Sequence, residues 1–331
     1  MRVAIVFGSR SAEHEVSVTS AKGIYGAIDK TKYELVLIKI TKQGEWLAVE
    51  HPDADEGLPV VMDLSRSPAR FRIGEQWITI DVIFPVLHGP YGEDGTIQGM
   101  CEMAGIPYVG CGVAASAIAM DKDLTKRVLR ANGIPVLDWI AVYKHESIDL
   151  REIGERFGYP LFVKPARLGS SVGITKVHSE DGLRPAIEYA FEYDSKIVIE
   201  KGLNRPREIE CAILGNEEPQ PSILGEVIPA HEFYDYDAKY KSPKSKRLVP
   251  APLNEDETRT AQRLALDSFK AIGCRGMARV DMFYVDGKFY VNELNTIPGF
   301  TPISMYPKLW QATGLSYSQL IDRLIELALE A

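Results

Sequence analysis

The opening stretch of the chain constrains its fold most. Arg2 to Phe7 read as one continuous strand, apolar from Val3 onward, that stops at Gly8-Ser9; a helix-compatible stretch follows from Val16 to Ile28. A strand without polar alternation is buried on both faces. Tyr33 to Ile40 and Val82 to Leu87 supply further strands, the last ending at His88-Gly89, and Ile106 to Gly110 reads as one more. Strands alternating with helices imply a parallel sheet covered on both sides. Residues 1–119 therefore read as an N-terminal doubly wound α/β domain.

Beyond it, Asp121 to Ala131 reads as a helix with an acidic start, closed by Asn132-Gly133 and Pro135. Trp139 to Tyr143, Leu161 to Lys164 and Ile197 to Glu200 read as strands of a smaller α+β unit, residues 120–203. The remainder, 204–331, holds a long hairpin and a closing helix. In that helix Leu320, Ile321, Leu324, Ile325 and Ala328 share an apolar face, which reads as core.

Length and charge narrow the function. At 331 residues the chain exceeds one small core. A net charge of −8 without a dominant basic tract argues against a nucleic-acid partner. Four cysteines without CxxC spacing argue against zinc and disulfides and for a reducing, cytoplasmic setting. The apolar N-terminal run is too short for a signal peptide, and no segment approaches membrane-spanning length.

The hairpin carries the strongest chemical signal. Arg279, Asp281, Glu293 and Asn295 fall on its two strands around Asp286-Gly287. Hard oxygen ligands suit Mg²⁺, and the guanidinium suits a phosphate. Residues 279 and 281 share a face of one strand, 293 and 295 a face of the other. A two-residue turn pairs Asp281 with Asn292 and sends Glu293 to the opposite face. Uniting the four thus requires a three-residue loop or a compensating bulge. The plain alternative is a solvent-facing strand pair with scattered charges.

Other segments fit a phosphate ligand. Lys164 ends an apolar strand and leads into Gly169-Ser170-Ser171-Val172-Gly173, whose backbone N–H groups and hydroxyls can wrap an anion. No GxxxxGK[ST] is present, so this is not a P-loop. Glu200-Lys201-Gly202-Leu203 leaves its strand where backbone groups can meet an adenine edge. His88 to Gly95 lies at the end of a parallel strand, where open α/β sheets bind ligands. Ser11 to Ser17 sits at a helix start, where its carboxylates have a plain reading as caps. Residues 233–247 have neither helical nor strand period and read as a lid.

Taken in order, SAEHEVS, HGPYGEDG, AMDKDLTK, VKPARLGSSVG, EKGL, YDYDAKY, GCRGMARVDMF and NELNTIPGFTPIS resemble the D-alanine–D-alanine ligase family over nearly the whole chain. The resemblance implies a three-domain ATP-grasp fold and ATP-dependent ligation of two D-alanines through a D-alanyl phosphate, for peptidoglycan precursors. It implies that Lys122, Lys164 and Ser171 hold ATP phosphates, with Lys239 at the transferred phosphate. Glu200, Lys201 and Leu203 lie at the adenine and Glu208 at the ribose. Asp281, Glu293 and Asn295 bind two Mg²⁺ ions, for which Mn²⁺ can substitute. Glu15 takes the first D-alanine's ammonium, His88 lies near its carboxylate, and Ser170 and Tyr240 link to Glu15 when the lid closes. Arg279 and the Gly299 N–H stabilise the tetrahedral intermediate, and Ser304 holds the second carboxylate. A homodimer is the family expectation.

The Lys239-Tyr240 lid favours D-alanine as second substrate, because relatives joining D-lactate carry a histidine-containing segment there. Two alternatives stand beside this reading. One is a related ligase making D-alanyl-D-lactate or D-alanyl-D-serine; the other is a non-catalytic nucleotide-binding module.

Overall fold

The computed structural model describes residues 1–169, 172–228 and 246–330. Three sheets follow one another along the chain. The first is built from β1 (Arg2–Gly8), β2 (Glu34–Ile40), β3 (Trp46–Val49), β4 (Leu58–Asp63), β5 (Arg70–Ile73), β6 (Gln76–Ile78) and β7 (Val82–Val86), in the order β6-β5-β4-β3-β2-β1-β7. Its β2-β1-β7 part is parallel, and β1 is fully buried from Val3 to Phe7, as that unbroken apolar run requires. Helix α1 (His14–Ala27) makes the crossover.

The all-parallel expectation fails beyond β2, where β3 to β6 continue the sheet as an antiparallel meander. These strands are short and half exposed, joined by turns such as Gly74-Glu75, so they need no second covering layer. The expected strand at 106–110 is reduced to a single parallel bridge, Ile83 with Tyr108.

Helices α2 (Thr96–Ala104), α3 (Val113–Met120) and α4 (Lys122–Ala131) follow. The Asp121 side chain caps α4, accepting from the Asp123 and Leu124 N–H groups at 3.1 Å. Sequence groups this helix with the central unit, yet Leu129 packs in the core of the third sheet. The central sheet, ordered β10-β9-β11-β8, comprises β8 (Trp139–Tyr143), β9 (Leu161–Pro165), β10 (Thr175–Val177) and β11 (Lys196–Lys201), antiparallel throughout. Helices α5 (Leu150–Phe157) and α6 (Glu180–Ala190) cover one face and close a separate core around Leu161, Val163, Leu183 and Ile199.

The third sheet runs β14-β13-β12-β15-β16, from β12 (Arg207–Gly215), β13 (Gln220–Ile228), β14 (Lys246–Leu248), β15 (Gly276–Val285) and β16 (Lys288–Asn295). Helix α7 (Glu255–Ile272) packs on it, started by a reciprocal Asn254–Glu257 capping box. Helices α8 (Met305–Thr313) and α9 (Tyr317–Glu330) end the chain. The expected apolar face of α9 is buried against Val3, Ile5, Ile24 and Phe84, so the last helix packs back on the first domain.

Candidate active site

The hairpin resolves its register in a specific way. Val285 pairs with Lys288, leaving a two-residue Asp286-Gly287 turn with φ of 49° and 76°. Two positive φ values mark the type I′ turn that Asp-Gly favours. A bulge then inserts Asn292, since Asp281 pairs with Glu293 while Met282 pairs with Val291. Asp281, Glu293, Arg279 and Asn295 consequently share one face, with Arg279 opposite Asn295.

That face lines a cavity of about 840 Å³ whose walls come from all three sheets and their loops. Lys122 enters from the start of α4 and Lys164 from β9; Glu200 comes from the end of β11, Leu203 from the segment just after it and Glu208 from β12. His88, Gly299 and Ser304 complete the lining. Lys201 does not line it: its side chain follows the pleat outward and is exposed. Ser170, Ser171, Lys239 and Tyr240 lie outside the described residues.

Glu15 requires a correction. Its carboxylate is 71% exposed and pairs with Lys42 at 2.7 Å, which holds it below the usual carboxylate range. Glu13 lines the cavity instead, only 7% exposed. Two residues at a helix start point about 200° apart, so only one of the two carboxylates can face the site. A Cβ on Gly89 would lie 2.6 Å from the Glu13 Oε2 atom, and one on Gly169 would lie 3.0 Å from it. Gly89 also has φ +73°, so both space and backbone demand glycine there.

His88 is a strut. Its Nδ1 lies 3.0 Å from the Ile297 carbonyl and its Nε2 lies 2.9 Å from the Ser20 hydroxyl, which also accepts from the Phe300 N–H at 3.2 Å. Burial lowers its pKa, so the ring is neutral, with Nδ1–H donating to Ile297 and Ser20 donating to Nε2. Glu93, which the sequence reading passed over, completes the clamp by accepting from the Gly89 N–H at 2.9 Å and the Ile297 N–H at 3.2 Å. Burial and the neighbouring Glu13 push its pKa up to about 8.

Arg279 donates to both oxygens of Asp281 at 2.6 Å and lies 3.2 Å from Glu210. Asn295 donates to Asp281 at 3.0 Å. Glu210, Asp281 and Glu293 set three carboxylates against one guanidinium, a surplus of negative charge that a divalent cation would balance. Among the described residues no three His, Cys, Asp or Glu side chains form a metal cage by themselves. Mg²⁺ typically takes one or two carboxylates and completes its shell with water and substrate phosphates, so this donor set fits an ion that arrives with its nucleotide.

The family model for the D-ala D-ala ligase N-terminus matches residues 2–111, and that for the C-terminus matches residues 128–326. The chain belongs to the D-alanine–D-alanine ligase family. A D-alanine–D-alanine ligase of Thermoanaerobacter sp. (strain X514) is 51% identical, aligned over all of this chain and 97% of its own length. Among solved structures, the D-alanine–D-alanine ligase of Coxiella burnetii matches at a TM-score of 0.90 and 38% identity, over 100% of this chain and 94% of its own. The VanG D-Ala:D-Ser ligase of Enterococcus faecalis also matches at 0.90, with 40% identity over 99% of each chain. Membership makes the chain an ATP-dependent ligase with the three-domain ATP-grasp fold, and the three successive sheets follow that plan. Among the described residues no helix is long and apolar enough to cross a membrane.

Proposed function

We propose that this chain joins two D-alanines to D-alanyl-D-alanine, converting ATP to ADP and phosphate, in the cytoplasm and as a homodimer. The observation that carries the reading is the convergence of Lys122, Lys164, Arg279, the Asp281–Glu293 pair and Glu13 on one cavity. Lys122 and Lys164 hold the nucleotide phosphates, Glu208 the ribose, and the end of β11 the adenine. Asp281, Glu293 and Asn295 hold Mg²⁺, which when bound neutralises phosphate charge. Glu13, not Glu15, pairs with the ammonium of the first D-alanine.

The first D-alanine's carboxylate oxygen attacks the γ-phosphorus, and the bond to ADP breaks. Positioning and electrostatics carry such a transfer, so the cationic side chains do most of the work. The second amine, after losing a proton, attacks the acyl carbon. Arg279 and the Gly299 N–H stabilise the oxyanion until phosphate leaves, while Ser304 holds the second carboxylate.

Phosphate release from Mg·ATP with D-alanine, D-serine and D-lactate, with products identified by mass, tests this. D-alanyl-D-alanine from D-alanine alone is the expected product; a depsipeptide as the main product with D-lactate present overturns the substrate assignment. Glu293→Ala should abolish turnover with its circular dichroism unchanged, and near-normal activity would remove that residue from the metal site.

A further inference from the structure

Behind the cavity wall lies a lysine that the mechanism above does not use. Lys126, one turn along α4 from Lys122, has a side chain only 2% exposed and does not line the cavity. Its Nζ lies 2.8 Å from the Glu200 Oε2 atom, and Lys164 approaches Oε1 of the same carboxylate at 3.1 Å. Glu200 thus has a cation on each oxygen, one inside the cavity and one outside it. We propose that Lys126 is a positioning residue for the nucleotide, holding Glu200 from behind so that Lys164 can leave that carboxylate and meet a phosphate.

The charge count supports this. Two ammonium groups and one carboxylate leave a surplus of one positive charge, and of the two ammonium groups Lys164 is the one on the cavity lining. Without Lys126, Lys164 and Glu200 form a neutral buried pair, and drawing Lys164 to a phosphate strands an unpaired carboxylate, which is costly away from water. With Lys126 in place, Glu200 keeps one partner throughout. Burial alone would raise the Glu200 pKa, yet the two lysines pull it down to about 2, so it stays anionic across the working range. Burial lowers the Lys126 pKa against the pull of Glu200, as expected of a cation with no path to solvent.

The inference rests on the cavity accepting ATP, and its test separates the two ideas. The readout is the ratio of ATP affinity to adenosine affinity, measured by calorimetry on the full chain. Lys126→Met should lower that ratio about tenfold or more, because only the phosphates need Lys164. Lys126→Met combined with Glu200→Gln restores the surplus charge and should return the ratio to within about threefold of the parent. Should Lys126→Met fail to fold, Lys126→Gln leaves Glu200 a polar but uncharged partner and should show the same loss. An unchanged ratio in the single variants, equal losses of ATP and adenosine, or no recovery in the double variant overturns the proposal. A parent chain that binds neither ligand overturns the ATP reading and this inference with it.

Discussion

The Nδ1 atom of His88 lies 3.0 Å from the carbonyl oxygen of Ile297, 209 residues further along the chain. With Glu93 accepting from the Ile297 N–H, the first domain holds the two peptide groups that flank Ile297, two residues before Gly299. That hold anchors the segment leading to Gly299, whose N–H is proposed above to meet the oxyanion. His88→Ala should therefore lower kcat on the order of 10²-fold, the typical consequence of a small misplacement of reacting groups. ATP affinity should stay within about twofold, because no nucleotide contact is assigned to His88. Steady-state kinetics beside nucleotide titration checks this, and a loss confined to ATP affinity would contradict it.

The two carboxylates of the SAEHEVS segment should behave oppositely. Glu13→Gln removes a buried carboxylate in the cavity and should cost on the order of 10²-fold in kcat/KM for D-alanine. Glu15→Gln removes an exposed ion pair with Lys42 and should change activity less than about twofold and stability hardly at all. Kinetics on the two variants side by side decides between them.

That contrast shows where sequence suffices. The parallel heart of the first sheet was legible because the β1 pattern admits burial on both faces only. The place of the turn at Asp286-Gly287 was legible because few residues tolerate positive φ, but its length of two residues was not. The Asn292 bulge was not, because it depends on neighbours. β15 pairs with β12 without interruption from Arg207–Tyr284 to Gly215–Gly276, so the irregularity falls on β16, the strand at the sheet's edge. Glu13 and Glu15 are equally acidic and sit two apart; only the start of α1 at His14 assigns each a direction. Glu93 and Lys126 are legible only by their burial and their distant partners, which no local pattern encodes.

Glu93 should make stability pH-dependent. Its folded pKa of about 8 lies above the ordinary carboxylate value of 4.5. Below pH 4.5 both folded and unfolded chains hold the proton, and above 8 neither does. Between them only the folded chain holds it, so this group's contribution falls as pH rises through that window, by up to about 1.4 kcal/mol per unit. Glu93→Gln removes the titration while keeping one acceptor oxygen. Urea unfolding at pH 5.5 and 7.5 should show a smaller loss of stability with rising pH in the variant than in the parent; parallel losses would contradict the shift. A cation bound beside Glu13 and Glu93 favours the ionised form. D-alanine binding near pH 7 should then release a proton from the parent that Glu93→Gln does not release, visible by calorimetry in buffers of different ionisation enthalpy.

Gly299 should tolerate no side chain, for a reason that can be undone separately. A Cβ there would lie 2.7 Å from the Ser304 hydroxyl oxygen and 3.6 Å from its Cβ. The same hydroxyl accepts from the Thr301 N–H at 3.0 Å and lies 2.8 Å from its side-chain oxygen, so it is not free to swing aside. Gly299→Ala must shift the loop, and kcat should fall on the order of 10²-fold with some loss of stability. Adding Ser304→Ala removes the close oxygen and leaves the 3.6 Å contact, an ordinary separation. The double variant should regain much of the lost stability, because the collision is gone. It should still bind the second D-alanine weakly, because the Ser304 hydroxyl proposed to hold its carboxylate is missing. Thermal unfolding and the KM for the second substrate, measured on all three variants, separate the steric role of this contact from its chemical one.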